Sequence, residues 1–325
     1  MGMASNESLI RDLAGGAPSI LAAPSGTLLR VGDTRRRRLR PVFSLVAAAV
    51  GVWLCVRFCS ALEWHAVARD LRHVGIGALL LFLAPVVGNF VHMLGWRALL
   101  PAALRPSVWR SFAIFLAAQA GNEIGLGVLG ESVKVSELPS AHRPLALRAM
   151  VLDNLSALLA LGAVMASIAL FLGGSHAPHG FALGAVALLA ISTAVGVVLA
   201  KRGAWSGGTA RGIGTAFVAH YLGKLWIVAE FALALALLGQ VTLRSSAVLG
   251  LVSTVASAVG AAIPGQIGVL EAALKGSASS AAVAASTLVS VAVLRRARSV
   301  GWVLLGALLF WRLRAQSGTV RLEQA

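Results

Sequence analysis

The chain has 325 residues, of which 58% are hydrophobic and only 12% are charged. A soluble domain carries about 25% charged residues, and long apolar runs recur here between residues 41 and 311, so the composition excludes an ordinary soluble protein and predicts a polytopic membrane protein. The net charge of +16 is carried by arginines at the edges of apolar runs, as in cytoplasmic loops that face anionic headgroups, so we expect no nucleic-acid partner.

The N-terminal region predicts a tail followed by a signal anchor. Residues 1–40 begin with a Ser-, Gly- and Ala-rich stretch and end in arginines, which is typical of a disordered, basic cytoplasmic tail. The arginine run directs the first apolar segment, residues 41–58, outward. No small-x-small cleavage site follows, so we expect an uncleaved anchor, a cytoplasmic N-terminus and a multi-pass protein of a bacterial-type inner membrane.

The remaining apolar pattern predicts an interfacial helix at residues 63–73 and six further spans. These spans cover residues 75–96, 145–172, 181–200, 214–238, 278–294 and 300–311. The membrane domain then comprises residues 41–315, and residues 316–325 form a short C-terminal tail.

Two further apolar segments do not fit as simple spans. Residues 108–130 and 245–275 each begin and end on one side of the membrane when nearby basic residues, including the arginines at 295–298, are placed in the cytoplasm. We interpret them as re-entrant hairpins from opposite faces, which is typical of transporters with inverted repeats. The predicted fold is an all-α polytopic integral membrane protein with about seven transmembrane helices and two opposed re-entrant hairpins.

The second predicted hairpin contains an unusual polar group in the sequence IPGQIGVLE. Pro264 removes a backbone donor, and Gly265 and Gly268 permit turns that other residues resist. Gln266 adds an amide. Glu271 lies in the first turn of the following half-helix, where it can cap backbone amides or pair with an arginine or a cationic headgroup. The alternative is a packed helix that Pro and Gly merely kink.

The first predicted hairpin and the span after it carry a second polar group. Glu131 and Lys134 are three residues apart and therefore neighbours on a helix, either as an interfacial salt bridge or as part of a site. Asp153 lies inside a strong span, where a charged side chain should face the bundle interior. We expect it to line a cavity or to pair with Arg148 or Lys134.

Four other polar residues are secondary candidates. Glu123 lies in the first predicted hairpin. A later span carries His220, Lys224 and Glu230, of which the first two share a helix face. These residues fit either a proton-coupled or headgroup-binding strip or ordinary packed positions. His92, in an earlier span, is interpreted as a satisfied core histidine.

The sequence contains no motif for catalysis or cofactor binding. It lacks a Ser-centred nucleophile elbow, a zinc-protease motif and a phosphate loop. Cys55 and Cys59 are the only cysteines, and we interpret them as small apolar side chains on one helix face. We therefore expect no catalytic residue, no metal and no cofactor, and a transporter-like protein rather than an enzyme.

Four segments resemble a known family in order and spacing. They are LGESVKVSEL, MVLDNLSALLAL, IPGQIGVLEAAL and AVLRRARSVGWVLLGAL. Together they resemble the transmembrane region of lysylphosphatidylglycerol synthases, a flippase-like family with a hopanoid-biosynthesis-associated branch. Carried over by position, the resemblance implies a headgroup site lined by Glu131, Lys134, Asp153, Pro264, Gly265, Gly268, Glu271 and an arginine of residues 295–298, for which we name Arg295 and Arg296. Gln266 departs from the double glycine usual in the family.

The resemblance implies a lipid flippase-like protein whose partners are membrane lipids with an anionic or modified headgroup. Few residues follow the last predicted span, so we expect no aminoacyl-transferase domain in this chain. Two alternatives stay open. In the first, the chain is a membrane enzyme of lipid or hopanoid modification, with Asp153 and Glu271 as acid/base groups, or an accessory factor of such a membrane-enzyme partner. In the second, it is a non-transporting scaffold. The sequence indicates no oligomeric state.

Overall fold

The computed structural model describes residues 64–124, 128–172, 179–201, 207–260, 263, 266 and 268–322. All regular secondary structure in these residues is helical. The predicted cytoplasmic tail and the predicted first span lie outside the described residues, as do Pro264 and Gly265.

The described helices follow one another with short connections. In chain order they are α1 (Trp64–Val74), α2 (Gly77–Leu83), α3 (Pro85–Leu99), α4 (Val108–Ile124), α5 (Val128–Ser136), α6 (Arg143–Phe171), α7 (His179–Lys201), α8 (Gly207–Leu237), α9 (Leu243–Gly260), α10 (Val269–Gly276), α11 (Ala278–Ala281) and α12 (Ala285–Leu322). Short 3-10 turns at Ala102–Leu104 and Ser140–His142 precede α4 and α6. α1 coincides with the predicted interfacial helix.

Four helical segments are long and apolar enough to cross a membrane. They are Gly77–Leu99, Arg143–Phe171, Ala210–Leu237 and Leu243–Gly260. The first three coincide with predicted spans. α7 coincides with another, although its described apolar stretch, Val186–Gly196, is shorter. The prediction of an all-α membrane protein is confirmed, whereas the number of seven spans stays a prediction.

The last two predicted spans are wrong as separate elements, because α12 is one continuous helix of 38 residues. The turn between them would fall at residues 295–299, but this stretch contains neither Gly nor Pro, and arginine favours helix. The three arginines there lie in the middle of a helix and not on a cytoplasmic loop. The interpretation of residues 245–275 as a re-entrant hairpin depended on placing these arginines in a cytoplasmic loop, so it loses this support. The helix break predicted in the segment is present, since α9 ends at Gly260 and α10 begins at Val269.

Helices α4 and α5 flank residues 125–127 and pack against each other. Gly130 of α5 lies directly on α4, where its amide donates to Asn122 Oδ1 at 3.0 Å. A Cβ at this position would lie 1.9 Å from the carbonyl oxygen of Ala118, so only glycine permits the approach. The second helix runs to Ser136, beyond the predicted bounds of 108–130, and the re-entrant hairpin itself stays a prediction.

Replacement of Gly130 by alanine is expected to destabilise this helix pair. The new Cβ meets a backbone carbonyl, so α5 must move away from α4, and overpacking of this kind costs about 1–3 kcal/mol. The melting temperature in detergent micelles should fall. The matched Gly214→Ala variant, whose Cβ meets nothing within 4 Å, should melt like wild type or higher, and equal melting of the two variants would contradict the close approach.

The bundle is organised around α8 and α12. α8 packs against α3, α6 and α9, and α12 packs along α4 and α10. A buried apolar cluster that includes Phe231, Leu235 and Leu249 fills the space between α8 and α9. Large apolar side chains such as Ile191 and Leu304 also cover the outside, as expected for helices that are apolar all round and face lipid.

Candidate functional site

A chain of buried polar side chains crosses the bundle from α5 to α3. Lys134 Nζ donates to Glu131 Oε1 at 3.0 Å and to Asp153 Oδ2 at 3.2 Å. The other oxygen of Asp153 lies 2.7 Å from His220 Nε2. His220 Nδ1 lies 2.8 Å from His92 Nδ1. We call these five residues the buried polar chain.

The helices explain why these side chains meet. The spacing of three residues places Glu131 and Lys134 on one face of α5. Asp153 projects from α6 toward that face, and Lys134 also lies over the ring of Phe115 on α4, 5.1 Å from its centre. Lys134 and Asp153 are only 5% and 4% exposed. Because an unpaired buried charge is strongly destabilising, each requires the other, and Lys134 is the partner of Asp153 that the sequence left open.

Glu271 closes a tight turn at the start of α10. Its Oε2 accepts a hydrogen bond from the Gly268 amide at 2.9 Å, and Gly268 has a φ of 82°, which favours glycine. Arg296 contacts both carboxylate oxygens and donates to the Gln266 carbonyl at 2.8 Å. Glu271 thus makes both internal contacts that the sequence allowed. A headgroup could reach its carboxylate, which is 6% exposed, only by displacing Arg296.

Pro85 interrupts the helix between α2 and α3, and α12 docks on the break. A proline cannot donate to the carbonyl four residues earlier, which belongs to Leu81. Arg298 Nη1 approaches this carbonyl oxygen at 3.5 Å. One turn further along α12, Trp302 Nε1 donates to the Phe82 carbonyl at 2.9 Å. The break therefore fixes the position of Arg298 inside the bundle.

Glu230 of α8 holds two arginines of α12. Arg298 Nη1 donates to Glu230 Oε2 at 2.8 Å, and Arg295 Nη1 lies 3.9 Å from the same oxygen. Arg295 also lies over the ring of Phe231, 4.7 Å from its centre, which is a cation–π contact. We call Glu230, Arg295 and Arg298 the glutamate–arginine cluster. It carries one carboxylate for two guanidinium groups.

A partly open cavity of about 200 Å³ lies beside this cluster. Its walls come from α3, α4, α8 and α12. The polar side chains that line it are Asn89, His92, Gln119, Glu123, Glu230, Arg295, Arg298 and Ser299. With Glu123 included, two carboxylates and two guanidinium groups face the cavity. His92 belongs both to the cavity wall and to the buried polar chain, so it connects the two.

The described predicted site residues, apart from Lys224, fall into three groups rather than one headgroup site. Those that line the cavity are Glu123, Glu230 and Arg295. Those in the buried polar chain are Glu131, Lys134, Asp153 and His220. Those at the start of α10 are Gln266, Gly268, Glu271 and Arg296. Lys224 lies one helical turn beyond His220 on α8.

Asn89 and His92 line the cavity but were not predicted as site residues, and the same is true of Gln119 and Ser299. A usable signal was present for the first two. They are three residues apart in an apolar span and therefore share a helix face, which is the rule that identified Glu131 and Lys134. Arg298 lies within the arginine run that the resemblance implied, but its partner Glu230 is 68 residues away, so no local pattern distinguished it from Arg295 and Arg296.

Comparison with known proteins gives this chain no relative. No family model, no curated protein and no solved structure matches it. The family resemblance therefore stays a prediction, and the geometry of the cavity and its charged groups is the basis for assigning a function.

Proposed function

We propose that the chain is a lipid flippase-like membrane protein that admits the polar headgroup of a lipid to the cavity between α3, α4, α8 and α12. The observation that carries this proposal is the charged lining of a partly open cavity within a bundle of apolar helices. Ionisable side chains at membrane depth are costly and mark pathways for polar substrates or ions. A headgroup needs such a polar path while its acyl chains stay in lipid.

The lining offers both signs of charge to a headgroup. A phosphate can bind beside Arg295 and Arg298, because guanidinium groups match phosphate oxygens in a bidentate manner. It would compete there with Glu230. An amino group on the same headgroup would face Glu230 or Glu123. The proposed ligand is therefore a phospholipid with an anionic or an amine-modified headgroup.

Apolar surface beside the cavity can hold the acyl chains. Val87 on α3, next to a lining residue, is 45% exposed. Leu304 and Leu308 on α12 are 66% and 50% exposed. Acyl chains lying along these side chains would remain in lipid while the headgroup enters between the helices.

The family resemblance supports the proposal through its charged positions. Glu131, Lys134 and Asp153 belong to the buried polar chain, which reaches the cavity through His92. A bacterial-type inner membrane with a cytoplasmic N-terminus is part of the same proposal, since it follows from the arginine run before the predicted first span.

Lipid translocation in proteoliposomes tests the proposal. The full chain is reconstituted with acyl-labelled phosphatidylglycerol or phosphatidylethanolamine, and the label that external dithionite can reduce is followed over time. Wild type should expose inner-leaflet label faster than protein-free vesicles. Arg298→Gln should slow translocation by about tenfold or more, because a hydrogen bond to a charged group contributes about 1.5–3 kcal/mol.

Arg312→Gln provides the matched control, because Arg312 lies on the same helix, is exposed and does not line the cavity. Translocation by wild type at the protein-free rate would reject lipid transport. Headgroup binding without translocation would favour the accessory-factor alternative. Wild-type rates in Arg298→Gln would reject the cavity as the path.

A further inference from the structure

The buried polar chain is a continuous series of hydrogen-bonded titratable groups, which headgroup binding does not require. It links four helices by hydrogen bonds between titratable groups, from His92 in the cavity wall to Lys134 on α5. We propose that this chain relays protons: a proton that enters at His92 is stored on Asp153 and releases Lys134. The cavity is thereby coupled to the contact between α5 and α6.

The hydrogen-bond geometry fixes where the protons lie in the resting chain. An ionised carboxylate only accepts hydrogen bonds, so His220 Nε2, 2.7 Å from Asp153 Oδ1, carries a hydrogen. A neutral His220 then accepts at Nδ1. His92 Nδ1, 2.8 Å away, must donate. This tautomer assignment follows from the network and leaves His92 Nε2 as the acceptor that receives an incoming proton.

The transfer balances as a series of three steps. A proton binds His92 Nε2, and the hydrogen on His92 Nδ1 moves to His220 Nδ1. The hydrogen on His220 Nε2 then moves to Asp153 Oδ1. One proton has been gained in total, both imidazoles are neutral with exchanged tautomers, and the carboxylate has become a carboxylic acid.

Asp153 is the last acceptor of the relay, because the next group in the chain, the Lys134 ammonium, has no lone pair to take the proton. The charged and titratable groups on the elements packed around the two histidines are Glu131, Lys134, Lys224, Glu123, Glu230, Arg295 and Arg298. A proton kept on an imidazole would add a cation beside Lys134 and Lys224. A proton on Asp153 raises the local charge by the same amount, but it does so by removing the carboxylate charge that Lys134 faces at 3.2 Å.

Protonation of Asp153 has a consequence for α5. The neutral acid keeps an acceptor at Oδ2 but no longer carries the charge that attracts Lys134 from across the helix pair. Glu131, on the same helix as Lys134, has a spare acceptor, since its buried Oε2 has no hydrogen-bond partner among the residues that the structure describes. Lys134 already donates to Glu131 Oε1 and can therefore move toward Oε2 as well, which keeps the contact within α5 and weakens the contact between helices.

A metal site is a poorer interpretation of the same residues. Two nitrogens that bind one zinc ion lie about 2.0–2.1 Å from it and, at a tetrahedral angle, more than about 3 Å from each other. The two Nδ1 atoms are 2.8 Å apart, a distance typical of a shared hydrogen. Within the described residues, no group of three His, Cys, Asp or Glu side chains is arranged to hold a metal.

Spectroscopy on the full chain in lipid nanodiscs tests the relay without any assay of transport. Wild type labelled with 15N-histidine should show a coupling between two imidazole Nδ1 atoms through one shared hydrogen. In infrared difference spectra, acidification should convert a buried carboxylate to an acid, and Asp153→Asn should lack that band. His92→Gln and His220→Gln should each remove or slow its appearance, whereas His65→Gln, on the exposed face of α1, should not.

Absence of the nitrogen coupling in wild type would overturn the relay, even if the histidine variants do not fold. Protonation of Asp153 that is unchanged in both histidine variants would overturn it as well.

The link from the relay to transport rests on the proposed function, and the labelled vesicles test it separately. An imposed pH gradient should accelerate translocation in wild type, and His220→Gln should abolish that acceleration. Translocation that ignores the gradient would overturn the coupling while leaving lipid transport intact. A complete lack of translocation, together with a spectroscopically active relay, would instead reject lipid transport and leave a proton-binding chain.

Discussion

Replacement of Asp153 by alanine is expected to destabilise the folded protein by about 3–5 kcal/mol, the usual cost of leaving a buried charge without its partner. The variant removes the carboxylate that holds both Lys134 and His220, and these side chains are only 6% exposed. Lys134 would keep Glu131, but that contact lies within α5 and does not tie it to α6. The melting temperature in micelles should fall, and amide hydrogens of α5 should exchange faster.

Two further variants separate the charge from the packing. Asp153→Asn keeps the shape of the side chain and an acceptor oxygen, so it should lose less stability than Asp153→Ala. Asn154→Ala changes the next residue, which is exposed and donates to the Met150 carbonyl of its own helix at 3.1 Å, and it should stay within about 0.5 kcal/mol of wild type. Equal melting of Asp153→Ala and Asn154→Ala would show that the ion pair contributes nothing to the fold.

Local sequence patterns were sufficient to predict the long apolar helices and the short-range charge pair. Arg143–Phe171 follows from hydropathy alone, because a helix satisfies its own backbone hydrogen bonds and needs no partner to form in lipid. The contact between Glu131 and Lys134 follows from their spacing of three residues. Both are properties of one helix, so the sequence of that helix determines them.

Contacts between distant helices could not be predicted in this way. His92 meets His220 across 128 residues of sequence, and neither helix carries a sign of the other. A single histidine in an apolar span is compatible with a packed core position as well as with a hydrogen-bonded chain. Only the crossing of α3 and α8 decides between these interpretations.

The misplaced turn near residue 297 has a similar cause. The positive-inside rule treats an arginine as a charge that must lie outside the membrane. This holds for an isolated cation, but the arginines of α12 are paired with Glu230 on α8 and Glu271 at the start of α10. Once a carboxylate from another helix is present, the arginine can stay within a continuous helix, and charge alternation along the sequence no longer reports the side of the membrane.

Replacement of Glu230 by glutamine is expected to destabilise the fold by about 3 kcal/mol. It leaves Arg295 and Arg298 together in the bundle without the carboxylate that pairs with them. The loss should lie at the lower end of the range for a broken buried pair, since the two arginine side chains keep 18% and 11% exposure to screening solvent. Arg312→Gln also removes one charge, at an exposed position of α12 outside the cavity, and is the control for the melting temperature.

The double variant Glu230→Gln with Arg298→Gln tests whether an unpaired arginine charge is the reason that Glu230→Gln loses stability. It removes one charge of each sign, so one guanidinium group and the Glu123 carboxylate still face the cavity. Residues in direct contact show coupling energies of about 0.5–3 kcal/mol, so the double variant should be more stable than the sum of the two single losses predicts. Strict additivity would mean that the 2.8 Å contact of Glu230 with Arg298 does not stabilise the bundle. In that case Glu230 and Arg298 would face the cavity to bind the ligand and not to stabilise each other. Both single variants should then affect headgroup translocation more than melting.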